Sequence, residues 1–105
     1  MAEDKRITVE EDGHVLAQAL VTPPDGEHGA RAQINVAPGR LPPGTRQKMA
    51  DAVCASVLED EAQHLTASVP LGDAELIAGI GEHLTDVELR AAGSTSILDG
   101  DVRPG

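Results

Sequence analysis

The chain has 105 residues, which fits a single domain, and it contains no Phe, Tyr or Trp. The formal net charge is −10 and the pI about 4.6, so the chain lacks the basic surface that nucleic-acid binding needs, and it has no aromatic side chain to stack on a base. Its only cysteine, Cys54, excludes an intramolecular disulfide, and no apolar run is long enough to span a membrane.

These properties predict a soluble cytoplasmic protein. The N-terminus, Met1–Lys5, is charged and does not resemble a signal peptide. We expect a frayed N-terminus over residues 1–5, a single domain over residues 6–98 and a flexible C-terminal tail over residues 99–105. Without aromatic side chains the core must be built from Ala, Val, Leu and Ile, so we expect it to be thin and to be supplemented by self-association.

The first three predicted elements are strands. Asp12-Gly13 is a typical two-residue hairpin turn between the first two strands. The second strand is apolar on both faces, which predicts an interior strand covered on both sides. A polar, turn-rich loop over residues 22–29 leads to the third strand, which alternates strictly between apolar and polar residues. These strands are predicted at residues 6–11, 15–21 and 30–36.

A bend rich in Pro and Gly, Ala37–Gly44, separates the third strand from the first helix. Thr45 is the predicted N-cap, and the apolar spacing over Met49–Val57 follows one face of a helix. The acidic run Glu59-Asp60-Glu61 opposes the helix dipole, so the helix is predicted to end or fray near Leu58.

A fourth strand, a second helix and a C-terminal strand region follow. Asp73 is the predicted N-cap of the second helix, whose apolar stripe is expected to run through Leu84. Gly93 breaks the fifth strand, and residues 94–98 are either a sixth strand or the fifth strand continuing past a bulge. The fourth and fifth strands are predicted at residues 64–69 and 86–91.

The element order ββ-β-α-β-α-β(β) predicts an α/β, or α+β, fold. We expect a mixed, largely antiparallel sheet of five to six strands with the two helices on its faces. The sequence leaves the order of the strands within the sheet open.

This element order resembles the central and C-terminal part of the GCN5-related N-acetyltransferase (GNAT) fold. Val9–Ala17 reads like the family's hairpin around an Asp-Gly pair, and Ile34–Pro38 reads like its strand ending in V-x-P. The resemblance covers roughly residues 7–90. It implies a turn before the first helix whose backbone amides hold the pyrophosphate of coenzyme A.

The sequence departs from the family pattern at the positions that would bind the cofactor and supply the general acid. The family motif is Gln/Arg-x-x-Gly-x-Gly/Ala, and in the best alignment, Leu41–Arg46, only Gly44 matches. Leu41 replaces the Gln or Arg, Arg46 replaces a small residue, and the two prolines between them remove amide donors. The family's C-terminal general-acid Tyr and its N-terminal strand and helices have no counterpart in the sequence. We therefore expect no cofactor, with acetyl-CoA as the alternative.

The basic residues beside this turn suggest a binding site for an anion. Three of the 8 basic residues of the chain cluster at the start of the first helix, where cations oppose the helix dipole. An anion bound to backbone amides there would remove the conflict. The alternative is that these are solvated side chains. The predicted cofactor- or anion-binding residues are Arg40, Gly44, Thr45, Arg46 and Lys48.

Other reactive residues form no recognisable constellation. Ser94-Thr95-Ser96 lacks the context of a catalytic nucleophile, and Cys54 lies between apolar helix residues and is expected to be buried. The histidines have no metal-ligand spacing, so no metal site is predicted. The four histidines are His14, His28, His64 and His83.

We interpret the chain as a non-enzymatic, acetyltransferase-like interaction module that associates with itself or with another protein. No catalytic residue is assigned. The alternative is a minimal acyl-CoA-dependent N-acetyltransferase, or a binder of acyl-CoA, nucleotide or phosphate, that uses residues 39–48. A small anionic ligand is compatible with this interpretation, whereas nucleic-acid and membrane partners are not expected.

Overall fold

The computed structural model describes residues 3–25 and 29–103. His28 and part of the predicted loop at residues 22–29 lie outside the described residues. The strands are β1 (Lys5–Glu11), β2 (His14–Thr22), β3 (Ala30–Val36), β4 (His64–Pro70), β5 (Leu84–Ala92) and β6 (Thr95–Val102), and the helices are α1 (Thr45–Glu59) and α2 (Ala74–Gly81).

The strands form one mixed sheet in the order β1-β2-β3-β4-β6-β5. Only β3 and β4 pair in parallel, and the other neighbours are antiparallel. The predicted class, element order and number of strands are confirmed. The region after Gly93 is a separate strand, β6, which inserts between β4 and β5 rather than continuing β5.

The hairpin between β1 and β2 follows from its turn residues. Asp12 and Gly13 both have positive φ, of 51° and 80°, which is the backbone of a type I′ turn. β2 lies inside the sheet as predicted, but only one of its faces is covered. Ala17 and Ala19 are buried on that face, whereas Leu20 on the other is 39% exposed. The expectation that β2 is covered on both sides is therefore wrong.

Both helices lie on the same face of the sheet, because α1 and α2 contact each other and share one core with the strands. Gly79 of α2 meets Ala50 of α1 so closely that a Cβ added to the glycine would lie 2.9 Å from the alanine Cβ. The expectation of helices on both faces is not met within the described residues. We call the other face of the sheet, which neither helix covers, the open face.

The core is built from aliphatic and small side chains, as the composition requires. Its largest fully buried members include Met49, Leu65, Leu76, Ile80 and Leu98. In β3 the alanines and Ile34 face the helices, while Arg31, Gln33 and Asn35 face outwards. None of the helices in the described ranges is long and apolar enough to cross a membrane.

Several predicted boundaries need correction. Gly44 rather than Thr45 is the N-cap of α1, and the helix continues to Glu59. Leu84 begins β5 instead of completing the stripe of α2. At the termini, Lys5 already pairs with Val21.

The C-terminal boundary also moves. The predicted tail began at Asp99, but β6 continues to Val102 and is paired on both sides. Asp99 lies opposite Thr66 of β4 and opposite Glu88 of β5, so the strand is held by two ladders where a loose segment was expected.

Candidate functional site: a cleft between parting strands

The central feature of the site is the place where β3 and β4 separate. Their parallel pairing runs from Ala30–Leu65 to Gln33–Ser68 and then stops, although both strands continue for two or three more residues. The main-chain groups that face β4 beyond the last bridge, which are the Ile34 carbonyl and both groups of Val36, therefore have no partner strand on that side. The carboxyl ends of adjacent parallel strands, where the chain leaves for helices, are a common place for ligands in open sheets.

The parting strands enclose a cleft of about 170 Å³. Its side chains are mainly amides and hydroxyls, which can orient a polar ligand through hydrogen bonds but carry no charge. The lining residues are Gln33, Ile34, Asn35, Ser68, Val69, Pro70, Ser94 and Thr95.

Two larger depressions on the open face adjoin the cleft. One, of about 250 Å³, shares Gln33 and Ser68 with it, and the other, of about 320 Å³, shares Asn35. Leu16 and Leu20 contribute apolar surface to these depressions. β3 thus contributes lining residues to all three depressions on the open face.

The N-terminus of α1 presents main-chain donors at the same end of the sheet. Gly44 has a φ of 85°, a conformation that favours glycine, and no side chain caps the helix. The first helical hydrogen bond runs from the Lys48 amide to the Gly44 carbonyl, and the Thr45 amide donates to Pro42. Within residues 3–25 and 29–103, the amides of Arg46 and Gln47 have no acceptor. Two donors are therefore available to an anion.

Arg46, one of the cations that oppose the helix dipole at this N-terminus, forms an ion pair within the chain. The Nε of Arg46 donates to Oδ2 of Asp73 over 2.8 Å, and the Asp73 side chain is only 9% exposed. The other carboxylate oxygen of Asp73 accepts from the Leu76 amide and caps α2, as predicted. Arg46 therefore has a carboxylate partner without any bound anion.

The predicted anion-binding residues lie on one short segment but are not equivalent. Gly44 supplies the left-handed cap, and Thr45 is buried with its hydroxyl donating to the Pro42 carbonyl. Arg46 is held by Asp73, whereas Arg40 and Lys48 are exposed. Whether this segment binds an anion stays a prediction.

Titratable groups elsewhere on the open face form a separate cluster. The hydrogen bond to Asp101, and secondarily the one to Asp99, raises the pKa of His64. The Thr66 hydroxyl, which donates to Asp99, is the main reason that the pKa of Asp99 is lowered, and Arg90 also pairs with this carboxylate. This cluster joins β4, β5 and β6 and does not line the cleft.

Cys54 is not a usable nucleophile in this conformation. It is buried in α1 as predicted, and burial raises the pKa of its thiol to about 12. The thiolate is therefore a negligible fraction at neutral pH.

Sequence reasoning missed Asp73 as the partner of Arg46 and all the residues that line the cleft. The Asp73 cap was visible locally, but its second contact spans 27 residues of sequence and had no local signal. The polar outward side of β3 was visible as alternation. The parting of β3 and β4 depends on where their parallel ladder ends, and no local pattern records that position.

Comparisons with known proteins agree with this architecture. A Salmonella typhimurium protein classed as an acetyltransferase, solved with its cofactor acetyl-CoA, matches with a TM-score of 0.65 at 12% identity over 95% of this chain and 64% of its own. A ribosomal-protein-alanine N-acetyltransferase from Brucella melitensis matches with a TM-score of 0.65 at 16% identity, over 96% of this chain and 69% of its own.

A GNAT-family acetyltransferase from Streptococcus pneumoniae matches with a TM-score of 0.62 at 10% identity, over 96% of this chain and 67% of its own. The chain spans less than two thirds of the Salmonella protein, so about a third of that protein has no counterpart here. No family model and no curated protein sequence matches. The chain has a GNAT-like fold, as its element order predicted.

Proposed function

We propose that this chain is a binding module for acyl-CoA or another pantetheine-bearing molecule, and that it does not itself transfer the acyl group. The parting of β3 and β4 is the observation that supports this most, because it leaves main-chain groups of β3 free beside a polar cleft. A structural neighbour with this fold was solved with acetyl-CoA. Acyl-CoA is therefore the first ligand class to test.

The cleft fits the pantetheine arm of such a ligand. This arm is narrow and carries two amides, which can pair with an open strand edge as a further strand would. Main-chain groups of Ile34–Val36 would hold the amides, and Asn35 and Ser68 would add side-chain hydrogen bonds. At about 170 Å³ the cleft is smaller than the roughly 300–1,000 Å³ of typical ligand pockets, which suits a single arm better than a whole nucleotide.

The diphosphate of such a ligand would find few hydrogen-bond donors on this chain. Amides of Arg46 and Gln47 are free to donate, but Pro42 and Pro43 supply no N–H to the turn. The guanidinium of Arg46 is held by Asp73, whose carboxylate also places a negative charge near the helix start. We therefore expect the pantetheine arm to contribute most of the affinity and the diphosphate to contribute little.

The chain offers few groups for acyl transfer. It has no Tyr, and the thiol of Cys54, its only cysteine, is buried with a raised pKa. The side chains that line the cleft are apolar residues, amides and hydroxyls, which are poor general acids and bases at neutral pH. These features support a binding role and leave catalysis without a candidate acid.

An amide NMR titration tests the proposal. Coenzyme A, pantetheine and ATP are added separately to the full chain. Coenzyme A and pantetheine should shift the amides of Ile34–Val36 and Ser68, and coenzyme A alone should also shift Arg46 and Gln47. ATP should shift at most Arg46 and Gln47. The absence of shifts with millimolar coenzyme A or pantetheine would overturn the proposal, and shifts with every phosphate but not with pantetheine would indicate a general anion site instead.

A pair of variants shows whether the cleft is the binding place. Ser68→Leu fills the cleft with an apolar side chain and should abolish the shifts caused by pantetheine. Thr8→Leu makes a similar change on the open face of β1, away from the cleft, and should leave them unchanged. Equal behaviour of the two variants would move the binding site elsewhere.

A thiol-release assay tests the statement that the chain does not itself transfer the acyl group. Incubation with acetyl-CoA and a panel of primary amines should release no more free thiol than the same mixture without protein. Enzyme-dependent thiol release that Ser68→Leu removes would show that the module is a transferase. Binding would then stand and only the non-catalytic role would fall.

A further inference from the structure

The strand β5 is an uncovered edge of the sheet. It lies at the outside of the strand order and pairs only with β6. Its residues from Thr85 to Ala92 are all exposed, including Val87 at 43% and Leu89 at 55%. Leu89 lies opposite the fully buried Leu98 of β6, so it belongs to the helix-covered face but lies beyond the cover of the helices. Exposed apolar residues on a long edge strand are a template for pairing with another chain.

Part of β5 is protected against such pairing and part is not. A bulge between Thr85 and Glu88, with Asp86 at a φ of 53°, interrupts the first half of the strand. From Glu88 to Ala92 the register is regular. A bulge commonly protects an edge, so the regular half is the segment still open to a partner.

Main-chain donors and acceptors of this regular half point away from β6, towards the free edge of the sheet. The two-residue turn at Gly93 and Ser94 closes on the Ala92–Thr95 pair, which in such hairpins is hydrogen-bonded. Since bonded and non-bonded pairs alternate along an antiparallel ladder, the N–H and C=O groups of Leu89 and Ala91 point to the free edge.

The charges on β5 complement a second copy of the same strand. Glu88 lies opposite Asp99 of β6, a repulsive neighbour, and it belongs to none of the ion pairs formed within residues 3–25 and 29–103. An antiparallel pair of two β5 strands centred on Leu89 would place Glu88 of each copy opposite Arg90 of the other. A pair centred on Glu88 or on Arg90 would instead bring like charges together.

We propose that β5 pairs antiparallel with β5 of a second copy of this chain, centred on Leu89, to form a continuous sheet of two six-stranded halves. The two Leu89 side chains meet on the helix-covered face, and two Glu88–Arg90 pairs form on the open face. The interface is small and its polar pairs are exposed, which is typical of a reversible dimer.

The opposite edge of the sheet is less suited to the same role. β1 has a bulge between Val9 and Glu10, in the middle of any register that would use Glu10. α1 contacts β1 and half-buries Ile7 and Val9, and Asp60, which follows α1, holds Lys5 over 2.8 Å. β1 therefore serves as the control edge.

Charge-swap variants test the register by sedimentation equilibrium at about 1 mM protein and near-physiological salt. Glu88→Arg and Arg90→Glu should each weaken dimerisation about tenfold or more, because each places like charges opposite each other twice. The double swap should restore most of the association. Leu89→Lys should give a monomer, and Arg6→Glu on β1 should leave the dimer unchanged.

The possible results separate cleanly. A wild-type chain that stays monomeric at 1 mM overturns the proposal, as does a dimer that ignores all the β5 variants or that responds to Arg6→Glu instead. The substituted side chains are exposed. Because Arg90→Glu also removes the pair with Asp99 within the chain, circular dichroism and thermal unfolding of each variant check that it folds before its association is compared. Ligand binding at the cleft is measured separately, so failure of the dimer leaves the proposed function untouched.

Discussion

The N-termini of α1 and α2 follow adjacent parallel strands, yet their main-chain donors are satisfied differently. α2 begins with Asp73, whose carboxylate accepts from the Leu76 amide. α1 begins with Gly44, has no side-chain cap and leaves two amides without an acceptor among the described residues. The Arg46–Asp73 pair joins the two. One helix start is thus completed within the chain, while the other keeps two donors without an acceptor among the described residues.

The contact between the helices should be the most sensitive part of this arrangement. Gly79→Val places side-chain atoms where even a Cβ meets Ala50 at 2.9 Å, so the helices must separate, at a cost of about 3 kcal/mol in unfolding free energy. Gly81→Ala is the matched control, because it meets open space in the same helix and should stabilise by up to about 1 kcal/mol. Urea denaturation measures both. Equal losses in the two variants would contradict the close contact.

Removal of the Asp73 carboxylate, which both caps α2 and pairs with Arg46, should have the next largest effect on the unfolding free energy. Asp73→Ala removes both a helix cap and the partner of a half-buried Arg46, and should lower the unfolding free energy by about 2 kcal/mol. Asp73→Asn keeps a capping side chain and should lose less than half of that amount. Arg46→Met completes a double-mutant cycle that isolates the pair. An Asp73→Ala variant as stable as the parent would show that neither the cap nor the pair with Arg46 contributes to stability.

The Asp73→Asn variant also tests whether the ion pair with Arg46 limits anion binding at the start of α1. Without the carboxylate, Arg46 is free to bind an anion and a nearby negative charge is removed. Coenzyme A should then bind several-fold tighter to Asp73→Asn than to the parent, whereas pantetheine should bind equally to both. Tighter binding of pantetheine as well would mean that the substitution reshapes the cleft.

The backbone at the start of α1 should give a smaller effect. Gly44→Ala forces an alanine into a φ of 85° and should cost about 1 kcal/mol, as measured by thermal or urea unfolding. Gly44→Asn is the control, because Asn tolerates this conformation better and should recover part of the loss. If alanine were accepted without loss, the left-handed cap would not be required for stability.

Local patterns in the sequence predicted the fold well. Asp12-Gly13 predicted its hairpin, the alternation in β3 predicted which side chains are buried, and Asp73 predicted its own capping bond. Each of these features depends on residues at most a few positions apart. The element order that these patterns predicted led to the resemblance to the GNAT fold, and the similarity to solved acetyltransferases supports that fold.

Features that depend on distant residues could not be predicted in this way. The Arg46–Asp73 pair, the insertion of β6 between β4 and β5, and the position of both helices on one face each join segments far apart in sequence. Leu84 shows the same limit. It continues the helical spacing of α2, yet it begins β5 because pairing with Val102 decides its conformation. The cleft depends on where the parallel ladder stops, and no local period records that position.

A second polar contact between the helices should be the weakest. Asp51 of α1 accepts from His83, just after α2, over 3.0 Å, and this hydrogen bond is the main cause of the lowered pKa of Asp51. The carboxylate is 56% exposed, so Asp51→Asn should cost less than about 0.5 kcal/mol at neutral pH. Because the folded pKa lies below the unfolded one, the contribution is present above the unfolded value and is lost as the pH falls through the folded value.

Urea unfolding at pH 7 and at pH 3 measures this difference. The parent should lose part of its small advantage over Asp51→Asn at the lower pH, while Glu11→Gln, an exposed change at the end of β1, should shift neither comparison. A larger loss for Asp51→Asn than for Asp73→Ala would reverse the ranking of the two contacts. It would mean that the exposed contact between the middle of α1 and the region after α2, and not the contact at the helix starts, fixes how α1 and α2 are held together.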